Sequence, residues 1–271
     1  MNIAADTIDI ASYFARIGYD GAGSPSLETL KALHLLHPLA IPFENLDPLL
    51  KRPVSLDPVS LQAKLIEGRR GGYCYEHNLL FMQVLASLGF SASGLAARVL
   101  WNRPEGALTP RTHMLLRIDM ADGPWIADVG FGGITLTAPL RLQEGLEQET
   151  PHETFRLDRT GDYWILNAKI GADWRPAYQF GLEDHSRMDY EITSYFVSTS
   201  PQSHFLHSLM AARPTRDGRY TLFNNRLSFH GAKSYRREFT GAAEVEQVLR
   251  EVFGIDVPPG LEEAMAREKL L

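Results

Sequence analysis

The spacing of apolar residues changes at Gly89, and this change constrains the fold more than any other feature of the sequence. Before Gly89, apolar residues recur at helical spacing, as at Ile10, Phe14 and Ile17. Between residues 94 and 180, short β-prone runs such as LAARVLW, HMLLRI and YWILNAKI are separated by Gly, Pro, Asp and Asn turns. Helices followed by strands and then by mixed elements predict an α+β protein.

The same pattern divides the chain into three parts. We predict helices over residues 1–90, an antiparallel sheet or small barrel over 91–198, and a mixed part over 199–271. A helix in the first part is expected to end before Pro38, because proline disfavours helical backbone at the residue that precedes it. Another helix is expected to begin near Cys74.

The charge and the hydropathy of the chain exclude several kinds of partner. Its 271 residues carry a formal net charge of −6, whereas a non-specific nucleic-acid binder normally has a basic face. It has no Lys/Arg cluster beyond the pairs Arg69-Arg70 and Arg236-Arg237, although its charge does not exclude a local site for a phosphorylated ligand. No apolar run approaches the ~18–20 residues that span a bilayer. We therefore expect no nucleic-acid and no membrane partner.

Two features favour a cytoplasmic location. The N-terminal stretch MNIAADTIDIASYF has no basic leader, apolar run or cleavage pattern, so no signal peptide is expected. The chain has one cysteine, which excludes an internal disulfide. Both observations are typical of a protein of the reducing cytosol.

The single cysteine lies in the stretch RRGGYCYEHN, residues 69–78. Gly71 and Gly72 can take backbone conformations that other residues avoid, and they can deliver the chain tightly into a helix that begins at Cys74. Free N–H groups and the macrodipole at a helix start favour an anion such as a thiolate. The pattern indicates a reactive thiol, although a free cysteine is often only a small buried apolar residue.

A histidine and an aspartate are predicted to meet on the hairpin that follows. The turn ADGP joins the strand HMLLRI to the strand WIADVG. If Asp119 pairs with Asp122, His113 faces Asp128 directly, and if it pairs with Pro124, Asp128 lies one diagonal step away. In both registers the two side chains share a face, with β-carbons about 4.5–8 Å apart. The sequence therefore predicts an imidazole–carboxylate pair, which is what a cysteine nucleophile needs as a base and its orienting group.

Other polar residues near the cysteine have more than one interpretation. His77 follows Cys74 by three residues and competes with His113 as the base, because its side chain projects toward the helix start. His34 and His37 are expected to pack or cap rather than bind metal, since no carboxylate or cysteine pattern accompanies them. Three charged residues are expected to form structural ion pairs or hydrogen bonds: Glu44, Arg70 and Glu76.

Taken together, these motifs resemble the arylamine N-acetyltransferases. The resemblance includes RRGGYCYEHN, THMLL, ADVGFGG, HLLHPLAIPFENLD at residues 34–47 and TSPQSHF at residues 199–205. The matches extend over most of residues 10–230. The resemblance implies an α+β fold in three parts: a helical bundle over 1–90 that carries the nucleophile, a central antiparallel β-barrel over 91–198 that carries the histidine and the aspartate, and a C-terminal α/β lid over 199–271. It also implies a papain-like Cys-His-Asp core.

The resemblance further implies an activity of the bacterial type of this family. Such an enzyme transfers an acetyl group from acetyl-CoA to the nitrogen of arylamines and arylhydrazines, and to the oxygen of arylhydroxylamines, as in xenobiotic metabolism. Cys74, His113 and Asp128 would form the catalytic triad, and the reaction would proceed through an acetyl-cysteine. Acetyl-CoA would be a co-substrate, with no bound cofactor and no metal. The protein would be a monomer or a homodimer.

The substrate contacts also rest on the resemblance. The loop GFGG has neither the Walker pattern nor the dinucleotide fingerprint, so its spacing alone indicates only a tight turn. By resemblance, CoA contacts come from Thr112, Gly130, Phe131, Gly132 and Gly133. The acceptor pocket would be lined by Phe43, Val99, Phe131 and Phe205, which without the resemblance would be interpreted as core residues.

Three alternatives stay open at this point. A hydrolase or a transglutaminase-like enzyme can use the same triad, because water can also attack an acyl-enzyme. A member of the same family can use another acyl-CoA, such as propionyl- or malonyl-CoA. A non-catalytic binding module on an enzyme scaffold is disfavoured because Cys74, His113 and Asp128 are all present.

Overall fold

The computed structural model describes residues 8–271. Residues 1–7, the first half of the stretch MNIAADTIDIASYF in which no signal peptide is expected, lie outside the described residues. The helices are α1 (Ile10–Ile17), α2 (Leu27–Ala40), α3 (Leu46–Leu49), α4 (Pro58–Leu61, continued by a π-helix at Gln62–Glu67), α5 (Cys74–Ser87), α6 (Arg187–Thr199), α7 (Ala242–Glu251) and α8 (Leu261–Glu268), with a short 3₁₀ turn at His204–Leu206. The strands are β1 (Phe43–Glu44), β2 (Ser91–Val99), β3 (Arg111–Met120), β4 (Gly123–Ala127), β5 (Leu140–Arg141), β6 (Glu147–Glu149), β7 (Thr154–Thr160), β8 (Tyr163–Ile170), β9 (Asp173–Phe180), β10 (Met210–Thr215), β11 (Gly218–Phe223), β12 (Arg226–Gly231) and β13 (Tyr235–Glu238). Helices and antiparallel sheets alternate in the predicted order, so the α+β prediction is confirmed.

Helix α2 corrects one prediction. It begins where the Ser26 hydroxyl accepts a hydrogen bond from the Thr29 N–H, but it continues through Pro38 to Ala40 instead of ending before the proline. Pro38 removes only one backbone hydrogen bond near the C-terminal end of the helix, and the Ile41 N–H still closes the last turn on the His37 carbonyl at 2.8 Å. The proline is buried, so packing outweighs the local preference.

Helix α5 starts at Cys74, as the diglycine predicted. The Glu76 carboxylate accepts a hydrogen bond from the Tyr73 N–H at 3.1 Å and so satisfies one free donor at the helix start. The helix is buried in a core that α1 and α2 line together with residues of β3 and β4, such as Met114 and Ala127. The helix start is therefore held by both its cap and its packing.

The central part is an eight-stranded antiparallel sheet in the order β5-β4-β3-β2-β9-β8-β7-β6. Its two edge strands approach each other, because the Gln148 side chain on β6 bonds to both the N–H and the carbonyl of Arg141 on β5. The sheet therefore forms a nearly closed barrel around an apolar interior. The buried interior includes Leu95, Leu115, Phe155, Leu166 and Tyr178.

The hairpin of β3 and β4 has one of the two predicted registers. Asp119 pairs with Pro124, and the ladder ends at the pair Leu116–Ala127. Asp128 therefore follows the last paired residue of β4 and lies one diagonal step from the position opposite His113. This register leaves the Asp128 side chain at the open end of the ladder, where it can reach the imidazole.

The C-terminal part contains a second antiparallel sheet in the order β1-β10-β11-β12-β13. Its edge strand β1 comes from the N-terminal part, so the N-terminal and C-terminal parts share one sheet. Helices α7 and α8 cover one face of this sheet and form a core with Leu46 and Leu49. We call this part the lid. Helix α6 ends at Thr199, one residue beyond the predicted boundary at residue 198. The predicted domain boundaries stay a prediction.

None of the helices within residues 8–271 is both long enough and apolar enough to cross a membrane.

Candidate active site

Cys74 is the first residue of α5 and is 5% exposed. Its sulfur lies 3.7 Å from the carbonyl oxygen of Thr112, the second residue of β3. The helix start approaches the barrel this closely because residue 130 is a glycine. A β-carbon at Gly130 would lie 2.9 Å from the Cys74 Cα and 3.0 Å from the His77 Cβ, closer than side-chain atoms normally pack.

His113 and Asp128 form the predicted pair. The imidazole Nε2 lies 2.7 Å from the Asp128 Oδ2, and both side chains are almost completely buried. Because Asp128 occupies Nε2, Nδ1 is the ring nitrogen left for the thiol. Burial disfavours the imidazolium, but the Asp128 carboxylate and the Cys74 sulfur outweigh it and raise the pKa of His113 to about 10. The pair is therefore charged at neutral pH.

The Asp128 carboxylate is held by further donors. Its Oδ1 accepts hydrogen bonds from the Asn78 amide and from the Gly130 N–H, both at 3.0 Å. Burial alone would raise the pKa of Asp128, but His113 and these donors hold it below its usual value. Asp128 thus stays ionised and keeps the imidazole in one orientation.

Two residues support Asp128 in a way that the sequence analysis did not predict. Asn78 lies one turn after Cys74 on α5, and this spacing could have indicated it. The His34 Nε2 accepts a hydrogen bond from the Asp128 backbone N–H at 3.0 Å, which requires the proton of the neutral ring on Nδ1. No local sequence signal connects His34 with residue 128, because 94 positions separate them along the chain.

His77 is not positioned to be the competing base. Its Nε2 lies 3.1 Å from the Pro42 carbonyl, which can only accept, so Nε2 carries the proton. Its Nδ1 lies 2.9 Å from the His37 Nε2, and the His37 Nδ1 lies 2.9 Å from the Tyr13 hydroxyl. These partners fix one neutral tautomer for each ring and direct His77 away from the thiol. The expectation that His34 and His37 pack in the core is confirmed.

No group of three His, Cys, Asp or Glu side chains that could hold a metal ion occurs within residues 8–271.

Aromatic rings pack against the His113 imidazole on the barrel side. The centroid of Phe131 lies 4.8 Å and that of Tyr178 lies 4.9 Å from the imidazole centroid. Val99 pairs directly with Tyr178 across β2 and β9, so it shares their face of the sheet. Two of the predicted acceptor contacts, Phe131 and Val99, are therefore close to the candidate base.

The other two predicted acceptor contacts lie on the lid side. The Phe43 and Phe205 rings are 6.2 Å apart, and Phe205 lies 5.7 Å from the ring of Tyr73, the residue before the cysteine. The GFGG loop joins the two sides, because a β-carbon at Gly132 would lie 3.5 Å from the Phe43 ring. The predicted contacts thus lie on both sides of the GFGG loop.

A buried cluster of charges lies beneath the start of α5. Arg70 bonds to Glu44 at 2.7 Å, and Lys64 bonds to both Asp47 and Glu76 at 2.6 Å. Burial raises the pKa of Glu76 to about 7 against the opposing effect of Lys64. The expectation that Glu44, Arg70 and Glu76 form ion pairs is confirmed, and these residues fix the chain around Cys74.

Two of the surface cavities border α6. One of about 270 Å³ lies between α6 and residues 53–56, and one of about 240 Å³ is lined by Tyr75, Arg111 and Tyr190. Neither is lined by a predicted CoA or acceptor contact. The second lies directly behind the site, because Tyr75 and Arg111 are the neighbours of Cys74 and Thr112 in the chain.

The arrangement has a defined chemical capability. A thiol at a helix start, next to an imidazolium that a buried carboxylate orients, can form an acyl-enzyme. A Cys-His-Asp constellation of this kind defines the class of cysteine enzymes that transfer or hydrolyse acyl groups.

Known proteins share both the sequence and the fold. A family model described as N-acetyltransferase matches residues 26–261. Arylamine N-acetyltransferase of Mycolicibacterium smegmatis is 46% identical over 256 residues, which cover 92% of this chain and 93% of that protein. The Escherichia coli (strain K12) arylamine N-acetyltransferase is 44% identical over 248 residues, which cover 90% of this chain and 88% of that protein.

Solved structures agree. The arylamine N-acetyltransferase structure from M. smegmatis matches with a TM-score of 0.92 and 43% identity, covering 96% of this chain and 98% of that chain. The Mycobacterium marinum arylamine N-acetyltransferase in complex with CoA also has a TM-score of 0.92, with 41% identity and 96% and 99% coverage. The chain belongs to the arylamine N-acetyltransferase family, so the family, the acyltransferase class and the fold predicted from the sequence are confirmed.

Proposed function

We propose that this protein transfers the acetyl group of acetyl-CoA to the nitrogen of arylamines and arylhydrazines, and to the oxygen of arylhydroxylamines, and that Cys74 carries the acetyl group between the two substrates. The observation that carries the proposal is the position of Cys74 at a helix start beside the charged His113–Asp128 pair. Family membership supports acyl transfer over hydrolysis by the same three residues.

In the first half-reaction, the Cys74 thiolate attacks the carbonyl carbon of the thioester. Backbone N–H groups at the helix start, those of Cys74 and Tyr75, have no carbonyl one turn back and can stabilise the oxyanion. The bond between the carbonyl carbon and the CoA sulfur then breaks, and the leaving CoA thiolate takes the proton of the His113 imidazolium. The products are acetyl-Cys74, free CoA and a neutral imidazole.

In the second half-reaction, the amine nitrogen attacks acetyl-Cys74, and the neutral His113 takes the proton of the developing ammonium. The Cys74 thiolate leaves, and the ion pair with the imidazolium forms again. Acetylation favours this role for His113, because it removes the sulfur charge that helps raise the pKa of the imidazole. The same group is thus an acid in the first step and a base in the second.

The chemistry of the acceptor fits this mechanism. In this mechanism no group removes a proton from a strongly basic amine before it binds, so the acceptor must already be neutral. An arylamine is a weak base and is largely neutral at pH 7, whereas an alkyl amine such as lysine, with a pKa of ~10.4, is protonated. Apolar aromatic walls suit a flat aryl ring. We assign this pocket to Phe43, Val99, Phe131 and Phe205.

The contacts proposed for CoA divide into two groups. The Gly130 N–H already donates to Asp128 at 3.0 Å, and the Phe131 N–H already donates to the Thr135 hydroxyl at 3.2 Å. Within the described chain, the N–H groups of Gly132 and Gly133 have no such acceptor, so we assign the pyrophosphate to these two. Thr112 borders the sulfur and is assigned to the thioester end of the donor.

Mass spectrometry of the intact protein tests the proposal. Mixing the protein with acetyl-CoA and no amine is expected to add one acetyl group, which peptide mapping places on Cys74 and which an arylamine removes. His113→Gln should abolish the adduct, whereas His77→Gln, which removes the other imidazole on the cysteine side, should retain it. Steady CoA release without an adduct would indicate a hydrolase, and neither adduct nor release would indicate a different acyl-CoA donor.

A further inference from the structure

His34 is a buried histidine that the proposed mechanism does not use. It is the first histidine of HLLH in α2, and its side chain is completely buried. Its Nε2 accepts a hydrogen bond from the Asp128 N–H at 3.0 Å, and its Nδ1 has no hydrogen-bond partner among residues 8–271. The ring therefore has one polar contact within the described chain, and that contact is with a member of the candidate triad.

The Asp128 N–H depends on His34 because the sheet no longer holds it. The ladder between β3 and β4 ends at the pair Leu116–Ala127, so Asp128 is the first residue beyond the ladder. Its N–H donates to the His34 ring instead of to a strand, and its carbonyl accepts a hydrogen bond from the Thr135 hydroxyl at 3.1 Å. Two side chains therefore fix the main chain at residue 128, at the point where the strand leaves the sheet.

The position of this main chain determines the direction of the carboxylate. The Cα–Cβ and Cβ–Cγ bonds connect the Asp128 backbone to the oxygen that lies 2.7 Å from the His113 Nε2. A hydrogen bond weakens steeply when its angle falls below ~120°. A rotation or shift of residue 128 would therefore weaken the bond that keeps His113 charged and oriented, even though the carboxylate itself stays intact.

The His34 ring is held in the state and the orientation that this bond needs. An imidazole nitrogen accepts only when it is unprotonated, so the proton of the neutral ring is on Nδ1. Burial lowers the pKa of His34 to about 4, against the opposing effect of the Asp128 carboxylate. The Phe81 ring packs edge-on against the imidazole, with the two centroids 5.8 Å apart. At neutral pH, His34 is thus an uncharged acceptor in a packed position.

We propose that His34 is a positioning residue for acyl transfer: it fixes the Asp128 main chain so that the carboxylate can hold the His113 imidazolium, which in turn keeps Cys74 ionised for attack. This inference rests on the proposed function. His34 acts through Asp128 and takes no part in proton transfer. Its effect should therefore appear in the reactivity of the thiol and not in the affinity for acetyl-CoA.

Two substitutions of His34 separate the hydrogen bond from the packing. His34→Leu keeps an apolar side chain in a buried site but offers no acceptor to the Asp128 N–H. His34→Gln provides a side-chain carbonyl oxygen, which can accept from the same N–H. His37→Gln is the matched control, because it replaces the other histidine of the same helix, which bonds to Tyr13 and His77.

The test measures alkylation of Cys74 by iodoacetamide, and its acetylation by acetyl-CoA, between pH 5 and pH 9. Cys74 is the only cysteine in the chain, so alkylation reports on one thiol. We expect His34→Leu to slow both reactions at pH 6.5 by about ten- to hundredfold, because a misplacement of about 1 Å in an active site has effects of this size. The pH profile of alkylation should move to higher pH, since less of the thiol is ionised beside a weakened imidazolium. His34→Gln should restore most of the rate and the profile, and His37→Gln should keep both.

Each other outcome has a separate meaning. If His34→Leu keeps the wild-type profile, or if His34→Gln or His37→Gln loses as much as His34→Leu, positioning by this hydrogen bond is wrong and the proposed function stands. If acetyl-CoA does not acetylate the wild-type protein, the proposed function is wrong, and alkylation alone decides the role of His34. Should His34→Leu fold poorly, ¹⁵N NMR of the wild-type imidazoles at pH 7 provides a second test: His34 should carry its proton on Nδ1 alone, and a proton on Nε2 would refute the bond to Asp128.

Discussion

The buried histidine chain makes the stability of the protein sensitive to acid, and His77→Gln isolates one part of this effect. A glutamine amide can accept the hydrogen bond from the His37 Nε2–H and donate to the Pro42 carbonyl, so both contacts of His77 have a replacement. The substitution replaces an imidazole, which titrates, by an amide, which stays neutral. Its main expected effect is therefore on the pH dependence of stability.

The magnitude follows from the pKa of the buried ring. Burial lowers the pKa of His77 to about 4, compared with an ordinary value near 6.5. Since the unfolded chain then binds more protons than the folded chain, the stability that this group contributes is complete above pH 6.5 and declines as the pH falls toward 4. At pH 5 the loss is about 1.5 pH units, or about 2 kcal/mol at ~1.36 kcal/mol per unit.

Urea unfolding at pH 7 and pH 5 measures this term. The free energy of unfolding of the wild-type protein should decrease by about 2 kcal/mol more than that of His77→Gln between these pH values. Groups that both proteins share cancel in the comparison. His230→Gln, which removes an exposed histidine, should behave as the wild type. Equal pH dependence of wild type and His77→Gln would refute the neutral buried tautomer and the hydrogen-bond chain derived from it.

Three further substitutions test the site. Gly130→Ala places a β-carbon 2.9 Å from the Cys74 Cα and should destabilise the protein by about 1–3 kcal/mol in a thermal melt, and an unchanged melting temperature would contradict the close approach. Phe131→Ala should raise the acceptor KM more than it slows acetylation by acetyl-CoA, and equal losses in both half-reactions would count against its place in the pocket. Asp128→Asn should slow alkylation of the thiol by iodoacetamide at pH 7 about tenfold or more, because the imidazolium loses its counter-ion, and an unchanged rate would exclude that role.

The part of the site that the sequence predicted best depends on local geometry. A short turn allows only a few registers for two strands, and the side-chain period of two then decides which residues share a face. His113 and Asp128 share a face in both registers considered, so their meeting did not require the correct choice. The helix start at Cys74 was also local, because the diglycine marks it.

What the sequence left undetermined depends on packing between distant segments. Pro38 disfavours helical backbone before it by a local clash, but a buried position in the core outweighed that preference. His77 was a competing base because a side chain at that position can project toward the helix start. The fold brings His37 of α2 and Pro42, which follows α2, next to His77, and their hydrogen bonds direct the His77 ring away from the thiol.

The nucleophile and the base belong to different parts of the chain, whose buried residues form one core, and a polar contact within that core helps to set their distance. Asn78 makes that contact: its amide donates to the Met114 carbonyl on β3 at 2.8 Å and to the Asp128 carboxylate at 3.0 Å. A single helical turn separates it from Cys74, and a buried helix moves as a rigid unit. The same side chain therefore positions the sulfur and orients the carboxylate that holds His113. Asn78, which is not itself a member of the candidate triad, thus couples its two halves through hydrogen bonds.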